Sequence, residues 1–192
     1  MSLLFAEMGY QVTGVDLSGA MIEVARRKAE ESGLSIDMGM ADAEYLPYGD
    51  ESFDVIVNRH LLWTLLSPET ALQDWHRVLK KGGRVLIIDG VWNDRSLMIL
   101  IKRWISDGLI MIFEPGGTHH CPSFRSLLEQ LPHGGGMSPE ILETYLTHAG
   151  FSTISFRGLM RIRKIQKSRL PWYRRIALGN LYYFLTAFKN RI

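Results

Sequence analysis

Phe53-Asp54-Val55-Ile56-Val57-Asn58 and Arg84-Val85-Leu86-Ile87-Ile88-Asp89 are the two stretches that decide the fold. Each is a short apolar run closed by a polar residue. Continuous rather than alternating hydrophobicity marks a strand buried on both faces, as in parallel sheets. Between them, Ser67-Pro68 opens a helix, with Ser as N-cap and Pro at the first helical position. That helix is expected to continue to Lys80, and Gly82-Gly83 turns the chain into the second strand.

Outward from this centre the alternation continues. Toward the N-terminus, a loop carrying Pro47, Gly49 and Asp50 precedes a strand expected over 34–40. Before it lies a helix capped by Ser18 and ended by Gly33, with Met21, Val24, Ala25 and Ala29 on one stripe. Before that comes a strand over 11–15, ending at Asp16. Residues 2–8 read as the end of a helix, with Gly9 suited to a left-handed terminus. Toward the C-terminus, a helix is expected over 96–113. A polar, glycine-bearing region follows, through His119-His120-Cys121 and Gly134-Gly135-Gly136. Ser138-Pro139 caps a helix to Ala149, and strands are expected over 152–156 and 181–188. Alternating strands and helices argue for an α/β fold: a doubly wound, mostly parallel sheet with helices on both faces.

Composition sets bounds. The 192 residues are most simply one domain, with 1–91 as a ligand-binding core and 92–192 as further helices and closing strands. Hydrophobic content of 46% and charged content of 22% are ordinary globular values. One cysteine, Cys121, cannot build a disulfide framework and suits a reducing, cytoplasmic setting. The apolar stretch 97–113 is interrupted by Lys102, Arg103 and Asp107, which argues against a membrane span. Net charge is +2, unevenly placed: after residue 143 there are ten Lys or Arg and no Asp or Glu. That basic part suits an anionic substrate, nucleic acid or a membrane surface. Basic residues from Arg161 to Arg175 interleave with Trp172 and Tyr173, yet no nucleic-acid motif accompanies them.

The chemistry-bearing residues stand at strand ends. Asp16 follows one strand and precedes a helix, where a carboxylate can accept two hydrogen bonds from a ribose diol. Asp42 and Ala43 follow the next strand; a side-chain acceptor beside a backbone N–H can read the edge of an adenine. Asn58 ends the third. Three successive strand ends suit an adenosine-bearing ligand.

These residues sit inside longer patterns: Gly14-Val15-Asp16-Leu17-Ser18-Gly19-Ala20-Met21, Ala41-Asp42-Ala43-Glu44-Tyr45-Leu46-Pro47-Tyr48 with Asp50-Glu51-Ser52-Phe53-Asp54-Val55-Ile56, and Arg77-Val78-Leu79-Lys80-Lys81-Gly82-Gly83-Arg84-Val85-Leu86-Ile87-Ile88-Asp89. In order and spacing, from Leu3 to Gly90, the chain resembles the class I S-adenosylmethionine-dependent methyltransferases. Lys81 stands where the family usually has Pro, a turn variation.

The resemblance implies a Rossmann-like fold with an antiparallel last strand and S-adenosylmethionine as cofactor. It implies that Asp16 binds the ribose hydroxyls and Leu17 packs on the adenine. Asp42 would take the adenine amino group and the Ala43 backbone a ring nitrogen, with Asn58 near the methionine end. The family's first strand and its Gly-x-Gly loop have no counterpart in this sequence. An absent central strand leaves buried edges unpaired at about 1–3 kcal/mol per group, serious against a stability of about 5–15 kcal/mol. The expectation is an N-terminally truncated domain whose gap is filled by further chain, another segment or a partner.

The cofactor would bring its own activated methyl group, so the protein needs no nucleophile, and its work is positioning and, where needed, proton removal. His60 is the first candidate for a group facing the substrate, with Arg59 and Trp63 beside it. The plainer reading is that His60 caps or packs the following helix. His119, in a pocket or lid, is a further substrate candidate, and the plainer reading is a loop. The run His119-His120-Cys121 lacks the paired spacing of a metal site, so no metal is expected. A small-molecule acceptor is the first reading. The alternatives are a catalytically impaired cofactor-binding remnant and an RNA methyltransferase using the basic tract. A nucleotide-dependent oxidoreductase shares the acid after the second strand, but not the Asp42-Ala43 and Phe53-Asp54 context.

Overall fold

The structure, a computed structural model, describes residues 1–91, 97–114, 128–176 and 182–190. Its order is α1 (Ser2–Glu7), β1 (Thr13–Asp16), α2 (Gly19–Glu31), β2 (Asp37–Met40), β3 (Phe53–Arg59), a 3-10 turn (Leu62–Thr64), α3 (Pro68–Val78) and β4 (Leu79–Gly90). There follow α4 (Leu97–Phe113), α5 (Pro139–His148), β5 (Phe151–Gly158), α6 (Met160–Arg169), α7 (Trp172–Arg175) and β6 (Tyr182–Lys189).

The start and stop signals act as the local chemistry requires. Ser18 caps α2, its Oγ accepting the Met21 N–H at 3.4 Å. Ser138 caps α5 in the same way through the Ile141 N–H. Gly9, Gly33 and Gly150 take the left-handed backbone at φ 86°, 65° and 92°. Ser67 departs from expectation: it stands at the N-cap of α3, but its side chain makes no cap bond. Pro68 and Glu69 supply the start instead.

The sheet is mixed and falls into two parts. β1 pairs parallel with β2 alone. The second part runs β3-β4-β6-β5, parallel between β3 and β4 and antiparallel across β6. Among the described residues, β1 and β3 each keep one edge without a strand partner. Those open edges explain a departure from expectation at β3, which is not covered on both faces. Val55 is exposed while Asn58 is buried.

The core sits on the second part. Leu72 and Trp75 of α3, Leu142 and Leu146 of α5, Val85 and Ile87 of β4, and Leu185 of β6 are buried together. Each buried side chain of this size contributes about 1.5–3 kcal/mol. On α2 the buried residues are Ile22 and Ala29, so the stripe is rotated from the expected one, and Met21 is exposed. The basic stretch, to which the sequence assigns no element, forms the helices α6 and α7. Among the described residues, no helix is long and apolar enough to cross a membrane.

Candidate active site at the strand ends

The ends of β1 and β2 are joined by a hydrogen bond from the Ala41 N–H to the Asp16 carbonyl, 3.2 Å. Asp16 uses one carboxylate oxygen, Oδ1, to accept the Ser18 N–H at 2.8 Å. Asp42 does the same with the Glu44 N–H at 2.9 Å. In both, Oδ2 takes no partner among the described residues. Each acid therefore closes its own turn and still presents an acceptor outward. Leu17 is 71% exposed beside Asp16, an apolar surface with nothing yet on it. The Ala43 carbonyl accepts the Trp75 Nε1–H at 2.8 Å, so its peptide is fixed from behind. The Ala43 N–H has no acceptor among the described residues.

A second group gathers at the ends of β3 and β4. Asn58 and Asp89 are buried. Both polar atoms of the Asn58 amide, the Trp63 Nε1–H and Asp89 Oδ2 lack hydrogen-bond partners among the described residues. Buried polar atoms in this state cost about 1–3 kcal/mol each, and they cluster where a ligand is to be met. Asp89 Oδ1 accepts the Gly90 N–H at 2.8 Å and lies 3.7 Å from His60 Nδ1. On the other side of the ring, His60 Nε2 meets the Tyr182 hydroxyl at 3.2 Å. The Arg163 guanidinium stands over the Tyr182 ring, 5.9 Å from its centre.

His60 holds φ at 57°, a left-handed backbone that costs a side-chain-bearing residue about 1–2 kcal/mol. The strain persists because the His60 N–H continues the β3–β4 ladder to the Ile88 carbonyl at 3.0 Å. Burial, then the charges of Arg59 and Arg163, hold the imidazole below its usual value. Burial pushes the Asp89 carboxyl up to about 6, with the Gly90 N–H opposing. The pair thus keeps a neutral imidazole in front of a buried acid, an arrangement able to receive a proton.

Of the residues singled out from sequence, Asp16, Leu17, Asp42 and Ala43 share one rim. Asn58, His60 and Trp63 share the neighbouring group, and Arg59 is exposed beside them. His119, His120 and Cys121 lie outside the described residues. Gly134 and Gly135 form a turn, and Gly136 bridges to Val91. Sequence reading gave Asp89 and Tyr182 no part in the site. Asp89 had a signal, an acid closing an apolar strand. Tyr182 had none, because it meets His60 from 122 positions away.

Residues 1–87 match the methyltransferase domain family. The chain carries the class I methyltransferase fold. The ubiquinone/menaquinone biosynthesis C-methyltransferase of Haemophilus ducreyi is 30% identical over 172 residues, covering 82% of this chain and 61% of that protein. The ubiquinone biosynthesis O-methyltransferase of Ruegeria pomeroyi is 29% identical over 155 residues, covering 81% and 56%. The chain thus spans about three-fifths of the length of such relatives. A solved S-adenosylmethionine-dependent methyltransferase of Methanosarcina mazei superposes with a TM-score of 0.63 at 22% identity, covering 99% of this chain and 87% of that one. The [4+2]-cyclase SpnF superposes with 0.62 at 22%, covering 98% and 69%. One fold therefore hosts different chemistries, and activity has to be argued from the site.

The residues at the first two strand ends fit the adenosine half of S-adenosylmethionine. Two carboxylates each keep an outward acceptor, the apolar Leu17 beside Asp16 is exposed, and a backbone N–H is left to donate. The methionine half would lie toward the open edges of β1 and β3, near the unpartnered Asn58 amide.

Proposed function

We propose that this domain transfers the methyl group of S-adenosylmethionine to a small-molecule acceptor. The observation that carries the reading is the set of polar groups with hydrogen-bonding capacity left over at successive strand ends: the second carboxylate oxygens of the exposed Asp16 and Asp42, the Ala43 N–H, and the buried Asn58 amide. The names of the relatives support a small acceptor, since they describe ubiquinone and menaquinone biosynthesis. The single cysteine supports a cytoplasmic setting.

When bound, the sulfonium cofactor supplies an activated methyl group. The chain's residues bind, orient and move one proton. Asp16 accepts from the ribose hydroxyls, and Leu17 covers an adenine face. Asp42 accepts from the adenine amino group while the Ala43 N–H donates to a ring nitrogen. The Asn58 amide faces the methionine end. On the acceptor side, the Tyr182 hydroxyl takes the proton that the acceptor loses and hands its own to His60 Nε2, which it meets, and Asp89 steadies the resulting imidazolium from the Nδ1 side. Tyr182 holds the ring in place; Arg59 and Trp63 border the acceptor. A further parallel strand belongs between β1 and β3, with its following loop beside the methionine portion. The two open strand edges support it.

Calorimetric titration with S-adenosylhomocysteine tests this, on the chain alone and with the strand-bearing segment added ahead of it. Binding is expected, tighter with the added strand. Asp16→Ala should weaken it at least about 100-fold, because two hydrogen bonds to a charged group are lost at about 1.5–3 kcal/mol each. No binding by the extended chain, or binding indifferent to Asp16→Ala, would refute the reading.

A further inference from the structure

Helix α4 is the most apolar of the described helices, and it is hardly used by the core. Among its described side chains only Ser106 is buried. Leu97, Ile101, Trp104, Ile105 and Ile112 recur at helical spacing, and all are exposed, Leu97 at 75% and Trp104 at 80%. A folded chain leaves so long an apolar stripe in water only at a cost, and such patches mark contact surfaces. Among the described side chains of this helix, the exposed charges are Lys102 and Asp107.

What surrounds the stripe is basic and aromatic. Phe113 stacks on Tyr173 at 5.2 Å and meets Trp172 edge-on at 6.2 Å. Glu114 accepts from the Tyr173 hydroxyl at 2.7 Å and from Arg174 Nε at 2.9 Å, which neutralises the acid at this corner. Ser106 Oγ donates to the Tyr173 carbonyl at 2.8 Å. The helix α4 is thereby fastened to α7, and through it to α6. On α6, Arg161 and Lys164 are exposed beside the exposed Met160, Ile162 and Ile165. An apolar helix edged by indole rings and cations is the pattern of a segment lying in a bilayer surface, with rings at headgroup depth and cations at the phosphates. A second copy of this chain fits less well. A two-fold contact would set each basic edge near its own image.

We propose that the α4 stripe, with the basic edge of α6 and α7, docks the protein on an anionic lipid bilayer. The surface borders the site: Arg163 of α6 stands over Tyr182, whose hydroxyl touches His60. If the methyl-transfer reading above holds, docking presents the site with an acceptor dissolved in the membrane. The docking itself does not depend on that reading.

Co-sedimentation with vesicles tests it, comparing phosphatidylcholine alone with phosphatidylcholine containing phosphatidylglycerol. The protein should partition onto the anionic vesicles and be released as salt is raised to about 0.5 M. Each cation at an anionic surface strengthens binding about fivefold, so Arg161→Glu with Lys164→Glu should weaken it by about 30-fold or more. Trp104→Glu should weaken it independently, at any phosphatidylglycerol content. Calorimetric binding of S-adenosylhomocysteine, and the thermal unfolding midpoint, should be unchanged in all three forms. Absence of vesicle binding by the folded protein overturns the proposal, as does binding indifferent to lipid charge and to both variants. So does a stable dimer in solution that Trp104→Glu dissociates, with no vesicle binding. Vesicle binding without S-adenosylhomocysteine binding would sink the catalytic reading and leave the docking surface standing.

Discussion

Replacing the buried acid Asp89 by asparagine should stabilise the protein at neutral pH. The Asp89 side chain is fully buried, and burial lifts its carboxyl from 3.8 to about 6. A carboxyl raised on folding binds its proton more tightly in the folded chain than in the unfolded one. Folding therefore takes up a proton between about pH 4 and 6, and stability falls as pH rises through that window. Above it the penalty is complete, at about 3 kcal/mol for a rise of this size. In Asp89→Asn the amide oxygen can still accept the Gly90 N–H. The amide NH2, however, falls where Oδ2 has no partner, at a cost of about 1 kcal/mol. The net gain is about 2 kcal/mol at pH 7.5, or about 4–8 °C in Tm for a chain of this size. At about pH 3, below both values, where the wild-type acid is mostly protonated in both states, the gain should vanish. Urea unfolding of both proteins from about pH 3 to 8 reads the difference directly. A variant less stable than wild type at pH 7.5, or a difference that does not change with pH, would refute the reasoning. If methyl transfer also falls in the more stable variant, the buried acid is retained for function.

Two further substitutions separate backbone strain from chemistry. His60→Asn keeps a residue type that tolerates φ near 57°, so fold and S-adenosylhomocysteine binding should survive while methyl transfer to an acceptor that must lose a proton falls about 100-fold. Because burial and the nearby arginines hold His60 below its usual value, the wild-type rate should climb on the acid side of that value and level off by neutral pH. A variant with the same climb would exclude His60 as the base. Gly83→Ala would bring a Cβ to 2.8 Å from the Lys80 carbonyl and 3.0 Å from that of Asp54, both backbone. Thermal unfolding should show a loss of about 1–3 kcal/mol. Gly14→Ala meets a flexible side chain, the Met38 sulfur at 2.7 Å, and should cost less; equal losses would contradict that distinction.

What could be read from the sequence was whatever acts locally. Ser18, Ser138, Gly9, Gly33 and Gly150 work within a few residues of themselves, and all behave as their chemistry demands. Asp16, Asp42 and Ala43 were legible because a strand end and the following turn are adjacent in sequence. Long-range pairings were not. Tyr182 reaches His60 only because β6 inserts beside β4, in the reverse direction. The burial of β3 was overread for the same reason: an apolar run reports what a strand can bury, and coverage depends on which neighbours arrive. The helices α6 and α7 escaped notice because their stretch is dominated by charge and carries no apolar periodicity. They bury no residue.

The two parts of the sheet share no strand pairing, yet the adenine side is firmly held, and the route explains how the site is built. The segment 41–48 is stitched to α3 and its start. Glu44 accepts the Ser67 N–H at 2.8 Å, and Asp74 accepts the Leu46 N–H at 2.7 Å. Trp75 donates to the Ala43 carbonyl. Arg77 donates to the carbonyls of Tyr48 at 2.7 Å and Leu46 at 3.1 Å. Helix α3 is itself anchored in the core through Leu72 and Trp75. Asp42 and Ala43 are therefore fixed relative to β4, and with it to His60 and Asp89. Asp16 is fixed at one remove, through the β1–β2 pairing and the Ala41 N–H. Rigidity thus declines from the adenine end toward the open edges, where the methionine portion would lie. On the proposed reading, cofactor binding tolerates that gradient, since its adenosine contacts would need only the stitched segment and the β1 turn. Methyl transfer does not, because an in-line reaction loses rate steeply with small misplacement of the reacting atoms. Cofactor affinity and turnover are accordingly separable in this fold.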